Sequence, residues 1–205
     1  QGMYYYSKCL VSGLGVTRDP RASIMWLERA AAADLPQAQY DLGNCFLHGL
    51  YGKAQDFHQA VSWYRRAAAH HHCESEHMLA QCNFDGRGVP SINEHESFTL
   101  YRCAASHGHI LSQYDLARCY RYGYGVVADA SLACYWYESS ARQGDFHSQV
   151  ELVEMYSMMG YIDRANVWKS VIRLRYHEED EKDEDIDIGM DGNVSGNGEI
   201  HCGCP

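Results

Sequence analysis

The sequence predicts an all-α chain built as a solenoid of stacked antiparallel helix pairs. Three observations carry that expectation. Trp26, Trp63, Leu100 and Trp136 are spaced by 37, 37 and 36 residues, and Gly13, Gly49, Gly86 and Gly123 keep the same beat. Tyr40, His77, Tyr114 and Val150 follow it again. Between the glycines, apolar residues recur with a helical period, as at Ala38, Leu42, Cys45 and Phe46. A self-similarity of this length marks a repeat array in which each unit buries its apolar face against its neighbours.

Each unit reads as two helices. The first runs over 37–47 in the clearest copy and ends at glycine, which supplies positive φ at a helix carboxyl terminus. Gly86-Arg87-Gly88-Val89 and Gly123-Tyr124-Gly125-Val126 then turn the chain, with valine re-entering the core. Asp19, Asp56, Asn93 and Asp129 are N-caps for the second helix, and Pro20 takes a favoured first-turn position. A small residue precedes a large one by three in Ser23/Trp26, Ala60/Trp63, Ser97/Leu100 and Ala133/Trp136, allowing close helix approach. Alanine runs follow at 30–33, 67–69 and 104–105. The units fall at 1–36, 37–73, 74–110, 111–146 and 147–177. In the last, Met159-Gly160-Tyr161 replaces the glycine turn, the Ala165/Trp168 pair remains, and a capping helix is expected over 162–175.

The string Ala38-Gln39-Tyr40-Asp41-Leu42-Gly43, the Gly-x-Gly-Val turn and the Ala-x-x-Trp-Tyr-x-x-Ala-Ala segment together resemble the Sel-1-like repeat, a relative of the tetratricopeptide repeat. The resemblance covers 1 to about 175. It implies a right-handed α-α superhelix, with first helices lining a concave inner surface. Departures are Gly49-Leu50-Tyr51-Gly52 in the second copy and Asn83 where tyrosine is usual in the third.

Composition narrows the function classes. The chain of 205 residues carries a net charge of −10. Ten acidic residues and one lysine lie from Glu178 onward, so the tail carries −9 and the body −1. No basic footprint for nucleic acid is present. No run is long and apolar enough for a membrane span. The acidic run and the Gly/Asn/Ser stretch after it are read as a disordered tail over 178–205. Nine cysteines raise the question of disulfides, but Cys9, Cys45, Cys82 and Cys119 recur once per unit at steps of 36, 37 and 37. Equivalent positions on stacked helices lie roughly 8–10 Å apart, beyond disulfide reach. They read as buried thiols in a reducing, cytoplasmic setting. The endoplasmic reticulum is the alternative if a signal segment has been cropped from a chain that opens on Gln1.

Chemistry-bearing motifs are sparse. His70-His71-His72-Cys73, with His77 nearby, offers zinc-type ligands, yet no second Cys/His pair has finger spacing. No metal or cofactor is therefore assigned. Neither a Gly-x-Ser-x-Gly elbow nor a phosphate-binding Gly-x-x-x-x-Gly-Lys loop occurs, so no catalytic residue and no small-molecule substrate are expected. Cys202-Gly203-Cys204-Pro205 is a poor prenylation box. The expected binding residues are the non-core positions of the first helices: Asp41/Met78/Asp115, Asn44/Gln81/Arg118 and His48/Asp85/Tyr122. These columns change type from copy to copy while core columns keep theirs. The expected function is a non-enzymatic scaffold or adaptor that holds protein partners in signalling, quality control or cell-wall synthase regulation. The alternative is an interaction module cropped from a larger enzyme such as a kinase.

Overall fold

The computed structural model describes the backbone of residues 1–186 and the side chains of residues 1–175. Among the described residues it contains ten helices and no strand. They pair as α1 (Gly2–Ser12) with α2 (Pro20–Ala32), α3 (Pro36–His48) with α4 (Phe57–Ala68), and α5 (Cys73–Asp85) with α6 (Glu94–Ser106). Then come α7 (Ile110–Tyr122) with α8 (Ala130–Arg142) and α9 (Phe146–Met158) with α10 (Ile162–Ile186). Every extensive helix contact joins helices consecutive in the chain. That is the contact pattern of a solenoid.

The four expected N-caps form. Asp19, Asp56 and Asn93 accept the backbone N–H three residues on, at 2.8, 3.0 and 3.0 Å. Asp129 accepts from Ser131 and Leu132 at 2.9 and 3.0 Å. Each such cap contributes about 1 kcal/mol. The first helices of the four leading pairs end on glycine in the left-handed region, with φ of 77, 66, 74 and 80° at Gly13, Gly49, Gly86 and Gly123. Each cap N–H donates to the carbonyl of the cysteine column. The second glycine of the turn has a different task. A Cβ on Gly88 or Gly125 would sit 2.1 or 2.2 Å from the carbonyl oxygen of Phe57 or Glu94. Those residues open α4 and α6, so this glycine is where one repeat's turn touches the second helix of the repeat before it.

The core assigns the Trp-Tyr pair unequal roles. Tyr64, Tyr101 and Tyr137 are buried, while Trp63 and Trp136 are half-buried and lean back on apolar clusters that include the preceding repeat. The small residues Ser23, Ala60, Ser97 and Ala133 are buried as expected. Gly43 shows why the first helix carries a glycine there: a Cβ would lie 2.5 Å from the Tyr64 ring. Asn83 is buried in place of an aromatic residue, and its amide donates to the Leu79 carbonyl at 3.1 Å. Cys45, Cys82 and Cys119 are buried, Cys9 is half-buried, and the seven described cysteines are free thiols.

The last helix runs further than expected. Its backbone passes the 162–175 cap and continues through Ile186, into the stretch read from sequence as disordered. Ala165 is buried and Trp168 packs on the same cluster, as the degenerate fifth repeat requires. The rest of the tail, including Cys202 and Cys204, lies outside the described residues.

Candidate interaction surface

The nine expected binding residues all lie on first helices, but they are not equally presented. His48, Asp85 and Tyr122, in the last turns of α3, α5 and α7, are exposed. Asp85 pairs with Arg87 at 2.5 Å, and the Tyr122 ring lies against Tyr124 and Arg121. Met78 and Gln81 are half-buried, Met78 against the core of the second and third pairs. Asn44 accepts the Tyr64 hydroxyl at 2.7 Å.

The two aspartates of the first column are the main departure from a freely solvated face. Asp41 accepts the Tyr4 hydroxyl at 2.9 Å and pairs with Lys8 at 2.7 Å, tying α3 to α1. Asp115 pairs with Arg118 at 3.1 Å on the same helix and lies 3.9 Å from His77 of the preceding repeat. Its side chain is only 12% exposed. Burial pushes the Asp115 carboxyl up to about 6, against the opposing pull of Arg118. Burial, and His109 beside it, push His77 down to about 4. These columns serve as inter-repeat ties as well as candidate contacts.

The same face extends into both flanking repeats, which the sequence reading did not include. Lys8 occupies the column of Asn44, and Glu151 and Glu154 continue those of Asp115 and Arg118. Arg121 pairs with Glu151 and, at 3.0 Å, with Glu154. Extending the column arithmetic by one unit in each direction would have found them.

A recess of about 120 Å³ opens on this face among α1, α2 and α3, bordered by Lys8, Asp41, Asn44, Val11, Leu27 and Leu50. At the equivalent register among α5, α6 and α7 only about 10 Å³ remains. There Phe84, Tyr101 and Tyr124 stand where Val11, Leu27 and Leu50 stand in the first recess. The thiols nearby are poor nucleophiles: burial pushes Cys45 up to about 11 and Cys119 to about 12, and the reactive form is the thiolate.

The histidine-rich segment divides. His77 turns toward Ser112 and His109, at 3.1 Å and a ring separation of 5.0 Å. His72 stands at the N-cap position of α5, with no side-chain cap bond, and its ring bonds Gln37 at 2.8 Å. His71 and Cys73 instead lie beside Glu76, Cys103 of α6 and His107, the residue that caps the carboxyl end of α6. Cys103 and His107 were missed because they stand some thirty residues downstream and match no finger spacing.

Repeated helix pairs, each stacked only on the next, with inter-repeat ties along the first helices, define a helical-repeat interaction fold. The Sel1 repeat model matches residues 1–35, 36–72, 73–109 and 110–145, one residue earlier at each boundary than the spacing suggested. The chain belongs to the Sel1 repeat family. A Sel1 repeat protein from Oxalobacter formigenes superposes with a TM-score of 0.74 at 29% identity, covering 81% of this chain and 69% of that one. A protective antigen of uropathogenic Escherichia coli with the same fold gives 0.77 at 28% identity, over 82% of this chain and 36% of that one. Among curated proteins, the chitin synthase regulator SKT5 of Saccharomyces cerevisiae is 43% identical over 53 residues. That match spans 26% of this chain and only 7% of the regulator. No helix among the described residues is long and apolar enough to cross a membrane.

Proposed function

We propose that this solenoid is a non-enzymatic scaffold whose first-helix face holds protein partners within a larger complex. One observation carries the reading. On the same helices, the buried columns keep their type, as in Leu42, Leu79, Leu116 and Leu152, while the exposed column runs His48, Asp85, Tyr122. A solenoid needs the first set to stack; the second set is free to differ, and differing residues on one continuous face can distinguish partners. We place the concave surface on this face. The recess beside Asp41 and Asn44 is the natural seat for an anchoring side chain of the partner.

Regulation of a cell-wall synthase is the finer role that the resemblance to SKT5 favours. It rests on repeat sequence shared over 53 residues.

Affinity capture tests the reading, with wild type compared against a His48→Ala, Asp85→Ala, Tyr122→Ala triple variant. The exposed positions leave stability within about 0.5 kcal/mol. A stoichiometric partner retained by wild type and lost by the variant is the expected result. Equal retention by both would place the binding surface elsewhere.

A further inference from the structure

Beyond partner binding, we infer that the junction of the second and third repeats holds a transition-metal site of the zinc class, built from His71, Glu76 and Cys103. Cys73 and His107 are placed to complete it. Each of the triads His71/Glu76/Cys103 and Cys73/Glu76/His107 brings its ligand atoms within 4.8 Å of one another. Within the first, Cys103 Sγ lies 3.2 Å from Glu76 Oε1 and His71 Nδ1 lies 3.7 Å from the same oxygen. Tetrahedral ligands at zinc bond lengths stand roughly 3.3–3.8 Å apart, so only small rotamer changes separate this cluster from coordination. One nitrogen, one sulfur and one carboxylate oxygen suit zinc better than the all-oxygen preference of magnesium or calcium.

Glu76 is the independent pointer. Its side chain is 3% exposed and its Oε2 has no hydrogen-bond partner. The same position in the second, fourth and fifth repeats is glutamine. Gln39, Gln113 and Gln149 each donate an amide hydrogen to the carbonyl eight residues earlier, at 3.2 Å in every case. Gln39 and Gln149 also leave an oxygen unpaired, but theirs belongs to a neutral amide already anchored by its NH2. An ionised Glu76 cannot donate and carries a charge into the same buried slot, which is costly without a cation to meet it.

The preceding junction supplies an internal control. At the same three register positions it has Asp34, Gln39 and Arg66, which close on each other: Gln39 donates to Asp34 at 2.9 Å and Arg66 pairs with Asp34 at 3.4 Å. The next two junctions have Gly108/Gln113/Ser139 and Gly144/Gln149/Val171. Only at the second-to-third junction, among these four, are all three positions metal-ligand types. His71 also holds a left-handed φ of 57° where Gly108 and Gly144 stand later, so a side chain is retained at a position that favours glycine.

The test uses the full chain, reduced and stripped with chelator, then titrated with Co2+ and with Zn2+. The comparison is a His71→Asp, Glu76→Gln, Cys103→Arg variant, which installs the set that already packs one junction earlier and so keeps the fold. Wild type is expected to take one equivalent of Co2+ with a thiolate-to-cobalt charge-transfer band that the variant lacks. Zn2+ should raise the melting temperature of wild type alone, and affinity should fall at least about 100-fold in the variant. Absence of the band in wild type would leave a simple His71–Glu76 contact and overturn the site. A band of equal strength in the variant would place the metal on other cysteines, Cys202 and Cys204 among them, and overturn it equally.

Discussion

The first and third repeats follow one backbone plan and present different surfaces. Around α1, α2 and α3, Val11, Leu27 and Leu50 leave a recess of about 120 Å³. Around α5, α6 and α7, Phe84, Tyr101 and Tyr124 fill the same register to about 10 Å³. The turn glycines differ in the same sense. Gly15 has nothing within 4 Å of an added Cβ, whereas Gly88 meets the Phe57 carbonyl at 2.1 Å. Helix stacking is therefore carried by a few positions repeated faithfully, and the half-buried ring around them sets what each junction offers to a partner.

The largest expected effect comes from the glycines. Gly88→Ala combines a left-handed φ with a backbone clash that only separation of adjacent repeats can relieve. It should cost about 3 kcal/mol or more. Gly15→Ala bears the φ penalty alone, about 1 kcal/mol. Chemical denaturation of both variants measures the difference; equal losses would mean that the inter-repeat contact at Gly88 contributes nothing. Next, Tyr101→Leu should open the third-repeat recess toward the size of the first and cost roughly 2–3 kcal/mol, from lost burial and a new cavity. A loss under about 0.5 kcal/mol would show that the neighbouring side chains collapse into the space.

A pH series separates His77 from Asp115. His77, held down at about 4, contributes stability above its ordinary value of 6.5 that is lost as pH falls toward 4. Asp115, held up at about 6, works in the opposite sense: its contribution is present below the ordinary 3.8 and lost as pH rises through 6. The two slopes oppose each other between about 4 and 6. His77→Tyr, the residue of Tyr40 and Tyr114 in that column, should gain stability relative to wild type on acidification from pH 6.5 to 4. The relative gain should be on the order of 3 kcal/mol. Parallel pH profiles for the two proteins would remove His77 from the account. The smallest effect is at the surface tie: Asp41→Asn keeps an acceptor for Tyr4 but loses the Lys8 pair, for about 0.5–1 kcal/mol.

Much of the fold was legible because its signals are local and repeated. The aspartate and asparagine caps, the glycine stops and the small-large pairs each act within a few residues, and four copies made every one checkable. What escaped was set across repeats. Asp41 and Asp115 stand in a column that changes type, which reads as solvated surface. Tyr4 and Lys8 bond one of them and His77 closes over the other, and those neighbours are some 37 residues away in sequence. The Trp-Tyr pair hid which ring is buried, since both suit a half-buried site and only the lean of Trp63 and Trp136 onto the preceding repeat decides it. The Glu76 cluster was invisible to spacing rules for the same reason. Comparing columns between repeats would have exposed it, because glutamine becomes glutamate where arginine becomes cysteine.

The central claim is that the first helices form the partner surface while the second helices keep the stack together. Hydrogen exchange of the chain with and without its captured partner tests it most directly. Slowed exchange concentrated in α3, α5 and α7, with α4, α6 and α8 unchanged, is the predicted result. Protection confined to α4, α6 and α8 would contradict it and move the binding surface to the opposite side of the solenoid.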